Sequence, residues 1–422
     1  MTSKIVAQAP GQMSCFFGFH DVSPWSPDDQ DVLLLQVDPE IRRLPRPGDW
    51  ASILLWSPET DKTRLIGKTD TWNFQQGARA MWIPTEGRRV IYNRRINDAP
   101  GCEIVDLDSG DRRELPHAVG AISPDGAYGF APNFARLGVL WPAYGYAGFV
   151  REEELQPRPH DDGLWRIDLS TGGRTLVFSI KELAEIKGVE APTSTKLFVT
   201  HISFNRRGSR IVFMLRFMTQ DDALYSIIFS ARPDGTDLRL LAQEKVSHFD
   251  WIDEDNIILW MRKSVSGLAA ARKSGLLASP FVKPLVNVAR MFRGRIKGKL
   301  LNESYFIVST VTDVKEPFMP GQLPLDGHPM ISPDLCWMIL DEYPEPQGGR
   351  TPLILVEMST RKRYDVHTFI HDVGSKDKDL KCDLHPRWNR AGTQVGVDAT
   401  ADGRRCFMII DLAEWIGQPK SL

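Results

Sequence analysis

Short hydrophobic runs separated by polar turns repeat along the whole chain. Runs rich in β-branched and aromatic residues lie at 32–37, 90–93, 211–217, 257–260, 337–340 and 395–397. A tight turn precedes each of them, and a second extended run follows, as at 102–110, 164–172, 353–360 and 406–412. Runs of this length bounded by turn residues are typical of β-strands. The pattern predicts about four strands in each repeat.

The turn that opens each repeat has a recognisable sequence. The full form, Ser-Pro-Asp-Gly, is at 123–126, and degraded copies are at 26–29, 83–87, 205–208, 252–255, 332–334 and 389–392. Pro-Asp-Gly between two extended runs is a hairpin-turn sequence. Seven copies predict an all-β, seven-bladed β-propeller, a single domain over residues 1–422. We expect the residues before His20 to provide the strand that closes the ring with the last blade.

Composition and charge narrow the class of protein. Hydrophobic content of 42% with 25% charged residues is typical of a soluble globular chain. A formal net charge of −2 provides no field that would attract nucleic acid. No run of 18 apolar residues occurs, and residues 1–10 lack the continuous apolar segment of a signal peptide, so we expect neither a membrane-spanning helix nor a signal peptide. The five scattered cysteines predict free thiols and a cytoplasmic protein.

Long connections concentrate on one face of the predicted propeller. They lie at 134–162, 179–200 and 263–303, with a short helix predicted at 180–186. In a propeller blade, the connection between the second and third strands and the connection to the next blade share a face. Insertions on one face usually mark the binding face. Arg136 and Tyr144, in the first connection, are therefore candidate substrate-binding residues.

The 263–303 insertion is basic and has helical periodicity. No acidic residue occurs from Lys263 to Asn302, and apolar residues at 281, 285, 288, 292 and 296 form a stripe opposite the basic positions 283, 290 and 297. This pattern predicts a basic amphipathic helix. Three interpretations stay open: packing of the stripe on the propeller, a lid over an acidic ligand, or peripheral membrane contact through 281–299.

Four histidines occupy the same position in successive repeats. His201, His248, His328 and His385 each lie five residues before the Pro position of the turn. They open the first strand of a blade, so we expect them on the binding face near the axis. A scaffold role is the alternative, since WD repeats use a histidine at a similar place to hold the blade. The missing Trp-Asp partner and the restriction to blades four to seven favour a site.

The predicted second strands end on the same face and bring charged residues to it: Arg216, Arg262, Asp341 and Asp398. Imidazoles combined with Asp326 and Asp383 suit a divalent ion such as zinc or manganese. His201 and His248 would remain available as general bases. An arginine can bind a carboxylate through two hydrogen bonds. Together these groups are what is needed to remove a proton α to a carboxylate.

Several motifs carry a resemblance to a known family. They are Asp-Gly-His-Pro-Met-Ile-Ser-Pro-Asp at 326–334, Cys-Asp-Leu-His-Pro-Arg-Trp at 382–388, Thr-Trp-Asn-Phe-Gln-Gln-Gly at 71–77 and Ser-His-Phe-Asp-Trp at 247–251. In these motifs the chain resembles the oligogalacturonate lyases and their propeller relatives, over roughly residues 18–413. The resemblance implies a seven-bladed propeller that cleaves uronate oligosaccharides by β-elimination at a divalent metal, typically manganese. We expect zinc or calcium as alternative ions and no organic cofactor.

The resemblance also implies roles for single residues. His328 and His385 match metal ligands, His248 or else His201 matches the base, and Arg216 matches the arginine near the carboxylate. Asp383 stands where the family has the first histidine of a His-x-His pair, and Leu380 stands where it has a glutamine. A carboxylate can replace an imidazole as a ligand, whereas a leucine cannot replace glutamine. Substrate-contacting positions within the matching motifs are Asn73 and Gln76.

Three functions remain in competition at the level of sequence. The first is a lyase that acts on an acidic, uronate-containing oligo- or polysaccharide. The second is a non-catalytic propeller that binds a glycan or a protein. The third is a metal-independent glycoside hydrolase in which Asp341 and Asp398 form a pair of carboxylates.

Overall fold

The computed structural model describes residues 4–84, 87–220, 223–262, 303–343, 349–370 and 380–417. The described strands form seven antiparallel sheets of four strands each, which is the predicted seven-bladed β-propeller. Blades one to three contain, in order, β2 (Ser14–Phe16), β3 (Val32–Val37), β4 (Ala51–Ser57), β5 (Lys62–Thr69); β6 (Met81–Trp82), β7 (Arg89–Ile96), β8 (Ala99–Asp106), β9 (Arg112–Leu115); and β10 (Ala121–Ile122), β11 (Tyr128–Ala131), β12 (Gly163–Asp168), β13 (Arg174–Ser179).

The remaining four blades follow the same order. They contain β14 (Phe198–Phe204), β15 (Ile211–Met218), β16 (Leu224–Ala231), β17 (Arg239–Glu244); β18 (Val246–Trp251), β19 (Asn256–Arg262), β20 (Glu303–Ser309), β21 (Lys315–Phe318); β22 (Met330–Ile331), β23 (Trp337–Asp341), β24 (Arg350–Glu357), β25 (Lys362–Ile370); and β26 (Arg387–Trp388), β27 (Gln394–Ala401), β28 (Arg404–Asp411) with β1 (Lys4–Gln8).

The second strand of a blade is buried on both of its faces. In β15, Ile211, Phe213 and Leu215 pack in one cluster with blade three, while Val212 and Met214 pack in another with blade five. Successive side chains of a strand point to opposite faces, so a strand held between two sheets is apolar at every position. This explains the continuous hydrophobic runs in the sequence. Each such buried side chain stabilises the fold by about 1.5–3 kcal/mol.

The N-terminus closes the ring, as the sequence predicts. Strand β1 pairs antiparallel with β28, so Lys4 lies opposite Asp411 and Gln8 lies opposite Met408. The last blade therefore takes its outermost strand from the beginning of the chain and its other three from the end. This arrangement ties the two ends of the described chain into one sheet.

In the part of the chain that the structure describes, few helices interrupt the strands. They are α1 (Phe134–Leu140), a 3₁₀ helix (Glu152–Glu154), α2 (Ile180–Glu185) and α3 (Ala413–Ile416). The predicted helix at 180–186 is α2, and its N-terminus has a capping box between Ser179 and Glu182. Helix α1 occupies the start of the 134–162 connection, for which the sequence predicts no helix. Of the predicted basic helix in the 263–303 insertion, residues 263–302 lie outside the described residues, and Glu303 begins β20.

Among the residues that the structure describes, no helix has the length and apolar character needed to span a bilayer.

Candidate functional site

Two of the register histidines lie at irregularities in their strands. In β14 the pairing with β15 shifts between Thr200 and Ser203, and His201 lies in this interval with a φ of 53°. In β18 the pairing shifts between Val246 and Phe249, an interval that contains His248. An extra residue in one strand changes the direction of the local side chain, and such bulges are frequent beside active sites. The two bulges thus determine where these imidazoles point.

The other two register histidines precede very short first strands and share one carboxylate. Asp341 Oδ1 accepts hydrogen bonds from the backbone N–H of His328, at 2.7 Å, and from His328 Nδ1, at 2.9 Å. Asp341 Oδ2 accepts from the backbone N–H of His385, at 3.3 Å. A carbonyl oxygen of Asp341 lies so close to Gly327 that a Cβ there would be 1.7 Å away. Asp341 therefore fixes two neighbouring blades relative to each other.

The register histidines converge on one aromatic ring. The centroid of Phe19 lies 4.8 Å from that of His201, 6.2 Å from His248, 5.9 Å from His328 and 5.1 Å from His385. All four histidines are buried. The imidazoles of four blades thus share one pocket at the axis, as the sequence pattern predicts.

Direct neighbours within this pocket are in ring contact. The centroids of His248 and His328 are 4.0 Å apart, and those of His328 and His385 are 4.3 Å apart. A fifth imidazole, His20, lies 5.3 Å from His328 and 6.3 Å from His385. We refer to His20, His201, His248, His328 and His385 as the histidine cluster.

His248 has the contacts expected of an oriented base. Its Nδ1 lies 3.0 Å from Asp326 Oδ1 and 3.0 Å from the hydroxyl of Ser247. Its Nε2 lies 3.4 Å from the hydroxyl of Tyr343. When Asp326 accepts a hydrogen bond from Nδ1–H, the lone pair of the neutral ring is on Nε2. This is the tautomer that a general base needs, and a carboxylate orienting an imidazole is the logic of the hydrolase triads.

His201 lies beside a buried cation and two aromatic rings. Its Nδ1 is 2.9 Å from the hydroxyl of Thr200 and 3.5 Å from Arg216 Nη1. The guanidinium of Arg216 lies over Trp141, 5.1 Å from the ring centroid, and Tyr144 stacks on the same indole at 3.8 Å. Burial lowers the pKa of Arg216 to about 10, so the group is positively charged at neutral pH.

The donor atoms at one side of the histidine cluster suit a metal ion. His328, Asp383 and His385 each offer one ligand atom, and these atoms lie within 4.8 Å of one another. The Nε2 atoms of His328 and His385 are buried and have no hydrogen-bond partner among the described residues. Unpartnered buried polar atoms are rare and call for an explanation. Metal-binding histidines commonly donate their other N–H to a carboxylate, as His328 does to Asp341.

Burial sets the charge of the cluster. It lowers the pKa of His385 well below its ordinary value, and the neighbouring His328 lowers it further. Burial likewise lowers the pKa of His201, assisted by Arg216, and that of His248, assisted by His328. For His328, burial is the largest single effect and would lower the pKa, but the carboxylates of Asp341, Asp383 and Asp326 together raise it above the ordinary value. Neutral imidazoles have the lone pair that metal binding and proton abstraction both require.

A short N-terminal segment carries Phe19 and His20 into the pocket. We call residues 17–21 the strap. Asp398 accepts from the backbone N–H of Phe17 at 2.9 Å and from that of Gly18 at 3.0 Å, and Arg387 donates to the carbonyl oxygens of Gly18 and Phe19. Gly18 has a φ of +126°, and a Cβ there would lie 2.7 Å from the carbonyl carbon of Gln76. Only glycine fits this backbone position.

Several predicted site residues hold the scaffold instead of contacting the imidazoles. Asp398 anchors the strap and binds Arg387 at 2.8 Å. Arg262 binds Glu303 at 2.5 Å and Glu244 at 3.3 Å. Because Asp341 and Asp398 are each committed to several donors, neither is disposed as one half of an open carboxylate pair. The predicted substrate role of Arg262 is supported by no contact that the structure describes.

Of the remaining predicted substrate-binding residues, three have structural contacts and one lies in the pocket. Arg136, in α1, donates to the carbonyl oxygens of Leu197 and Gln156, each at 2.6 Å. Asn73 closes its own turn by accepting from the backbone N–H of Gln75 and of Gln76. Gln76 is buried beside Gly18. Tyr144, by contrast, lies 5.4 Å from the His201 ring and 6.0 Å from Phe19, so it belongs to the pocket.

Four residues of the pocket are not among the predicted site residues. Phe19 and His20 come from the strap, Trp141 from the end of α1, and Tyr343 from the segment after β23. A signal for His20 exists in the sequence, since it lies two residues before the register position, as Asp326 and Asp383 do in their blades. For the aromatic residues no repeat position gives such a signal.

No protein-family model and no curated protein sequence matches the chain. Among solved structures, an oligogalacturonate lyase from Vibrio parahaemolyticus aligns with a TM-score of 0.60, 12% identity, and coverage of 96% of this chain and 92% of that chain. An oligogalacturonate lyase in complex with manganese gives 0.59, 14%, 95% and 91%. In fold, the chain resembles the oligogalacturonate lyases.

A protein with a different activity is also similar. A puromycin-hydrolysing peptidase from Mycobacterium tuberculosis aligns with a TM-score of 0.52 at 12% identity, over 94% of this chain and 51% of that chain. Identities this low establish the propeller fold and no more. Because one fold hosts many activities, the function has to be argued from the site.

Proposed function

We propose that this protein is a lyase that cleaves an acidic, uronate-containing oligo- or polysaccharide by β-elimination at the histidine cluster. One observation carries the proposal: the unpartnered Nε2 atoms of His328 and His385 lie beside the Asp383 carboxylate, and the His328 ring is in contact with an oriented His248. The same pocket contains Arg216, a buried cation. The resemblance in fold to oligogalacturonate lyases agrees with this choice.

Arg216 is the group that would bind the uronate carboxylate. Its guanidinium is buried, and its Nε has no hydrogen-bond partner among the described residues. A carboxylate placed there would satisfy this donor and neutralise a desolvated charge, which is a strong pairing in a medium of low dielectric constant. The neighbouring rings of Trp141 and Tyr144 provide flat apolar surfaces beside the cation.

His248 is the residue that would remove the proton. Its Nε2 carries the lone pair when Nδ1–H donates a hydrogen bond to Asp326. This Nε2 would take the proton from the carbon α to the carboxylate. The electrons of that C–H bond form the new double bond to the β carbon, and the β C–O bond to the departing sugar breaks. The departing oxygen then takes a proton, which water can provide. Positioned proton transfer of this kind contributes about 10²–10⁴-fold to the rate.

The residues that would hold a divalent cation are His328, His385 and Asp383. When bound, manganese, or alternatively zinc or calcium, would provide Lewis-acid stabilisation of the negative charge that develops on the substrate carboxylate. Asp341 holds His328 by its Nδ1, which keeps Nε2 directed at the same point. We propose no organic cofactor.

A spectrophotometric assay tests the proposal directly. The protein would be incubated with Mn²⁺ and a panel of galacturonate, glucuronate and mannuronate oligosaccharides, and the absorbance of the unsaturated product followed in the ultraviolet. We expect product from at least one of them. His248→Ala should lower kcat by about 10²–10⁴-fold, while Mn²⁺ affinity is retained.

His160→Ala is the matched control, because His160 is exposed in the connection before β12 and touches none of the cluster. It should leave the rate unchanged. Failure of every uronate to give an unsaturated product, or a His248→Ala variant with the wild-type rate, would contradict the proposal.

Burial of the cluster supports a second candidate, a non-catalytic propeller that binds a glycan or a protein. His328 is 0% and His385 2% exposed, and the ring of Phe19 fills the space between the imidazoles. A metal held in such a place would stabilise the ring of blades without meeting a substrate. Tight metal binding together with no turnover of any uronate would favour this candidate over the lyase.

A further inference from the structure

We propose that His20 is a third imidazole ligand of the metal centre, delivered to it by the strap. This inference rests on the metal centre of the proposed function and adds a residue to it. His20 belongs to the first blade, whereas His328 and His385 belong to the sixth and seventh. The metal would therefore join the beginning of the chain to its last two blades.

The number of ligand atoms at the metal centre indicates that a further donor is needed. His328, Asp383 and His385 offer three ligand atoms within reach of one another. Ions bound by nitrogen and oxygen take four ligands in tetrahedral sites and more in octahedral ones. A further donor is needed. The nearest imidazole outside the set is His248, at 4.0 Å from His328 between ring centroids, but its Nδ1 contacts Asp326 and its Nε2 contacts Tyr343. His20 is the next, with its centroid 5.3 Å from that of His328.

The surroundings of the His20 ring also suit a metal ligand. The ring of His20 lies beside the backbone carbonyl group of Pro329, and when one ring nitrogen donates to that oxygen the other carries the lone pair. Metal-bound histidines nearly always show this division, with one nitrogen on the metal and the other donating to a carbonyl or carboxylate oxygen. His328 has the same division, with Asp341 as its acceptor. Both rings are buried.

The strap, which carries His20, is held from two sides. Asp398 and Arg387 bind its backbone at Phe17, Gly18 and Phe19 from blade seven. Arg79, from blade two, binds the carboxylate of Asp21 at 2.8 Å. His20 lies between these two attachments. A ligand fixed by its neighbours loses little conformational entropy on binding, so the position is prepared for the role.

Metal titration of variants tests the inference. Mn²⁺ affinity would be measured by calorimetry for the wild type and for His20→Ala, His328→Ala and His385→Ala. Removal of even an outer partner of a metal ligand typically weakens binding by about 10–100-fold, so loss of His20 should weaken it at least about 10-fold. His117→Ala is the matched control, since His117 has the same repeat position in blade three but lines a separate cavity with Trp165 and Arg174.

Pulsed electron paramagnetic resonance of the Mn²⁺-loaded wild type counts the coordinated imidazoles without any variant. We expect three in the wild type and two in His20→Gln, a change that a merely structural histidine would not produce. The number of imidazoles counted in the wild type also tests the role of His20 if His20→Ala fails to fold.

The possible failures are distinguishable. Two imidazoles in the wild type, with Mn²⁺ affinity lost in His328→Ala and His385→Ala but unchanged in His20→Ala, would overturn the role of His20 and leave the metal centre intact. A wild type that binds no divalent ion would overturn both the centre and this inference.

Discussion

Gly327 shows how one backbone position sets the geometry of the imidazoles. It precedes His328, and a Cβ there would lie 1.7 Å from the carbonyl oxygen of Asp341. The opposing atom belongs to the backbone of β23 and has no side-chain freedom to move away. The close approach is also what allows the Asp341 carboxylate to reach both His328 Nδ1 and the His328 N–H.

We predict that Gly327→Ala separates His328 from Asp341. Overpacking in a tight core costs about 1–3 kcal/mol, and a clash with backbone belongs at the upper end of that range. Chemical denaturation should show this loss, and Mn²⁺ affinity should fall with it. Gly173→Ala is a suitable control, because the nearest atom there is the end of the Thr171 side chain, at 3.3 Å. Unchanged stability and affinity in Gly327→Ala would contradict this view of the site.

Only part of the pocket is predictable from single residues. The register of the four histidines follows from the repeat, because equivalent positions in a propeller lie at equivalent heights. The position of Phe19 does not follow, since it depends on bonds between the strap and Asp398, which is about as distant along the chain as two residues here can be. The role of Arg262 does not follow from the sequence either, because the ion pairs of its guanidinium with Glu244 and Glu303 are seen only in the structure.

At the scale of elements, the strands are what the sequence predicts best. Their continuous apolar runs reflect burial between two sheets, so sequence pattern and structure agree for β3, β7, β15, β19, β23 and β27. Helix α1 was not predicted, although Asn133 at its N-terminus accepts a hydrogen bond from the Arg136 N–H and is a good helix cap. The bulges that aim His201 and His248 have no sequence signature of their own, since they arise from pairing with the next strand.

Strand β1 provides a prediction at this scale. Deletion of residues 1–8 would leave the outer edge of β28 unpaired, because β1 pairs with that edge from Lys4 to Gln8 while β27 pairs with the other. Loss of a few backbone hydrogen bonds, each worth about 0.5–1.5 kcal/mol, should lower the free energy of unfolding by on the order of 2–4 kcal/mol. The free edge should also promote self-association, visible by light scattering.

A double variant separates pairing from side-chain burial. Ile5 and Val6 are each 40% exposed, so Ile5→Ala with Val6→Ala keeps the backbone pairing and removes little buried surface. This variant should remain close to the wild type in stability. If the deletion proved as stable and as monodisperse as the wild type, β1 would have no part in closing the ring.

At the scale of the whole molecule, the propeller brings together residues that are far apart in sequence. The strap, blades four to seven and the end of α1 all contribute side chains to one axial pocket. Structures with this fold include both lyases and a peptidase, so the ring itself does not specify chemistry. In this chain the function is argued from the buried imidazoles of His201, His328 and His385, whose Nε2 atoms have no hydrogen-bond partner among the described residues.

The most direct test of this account is a crystal of the Mn²⁺-loaded protein measured by anomalous diffraction at the manganese absorption edge. We predict one strong anomalous peak among the side chains of His328, Asp383 and His385, within normal coordination distance of both Nε2 atoms. The absence of a peak there at saturating Mn²⁺, or a peak elsewhere with these imidazoles hydrogen-bonded to their own blades, would contradict the claim that neighbouring blades build one shared metal centre.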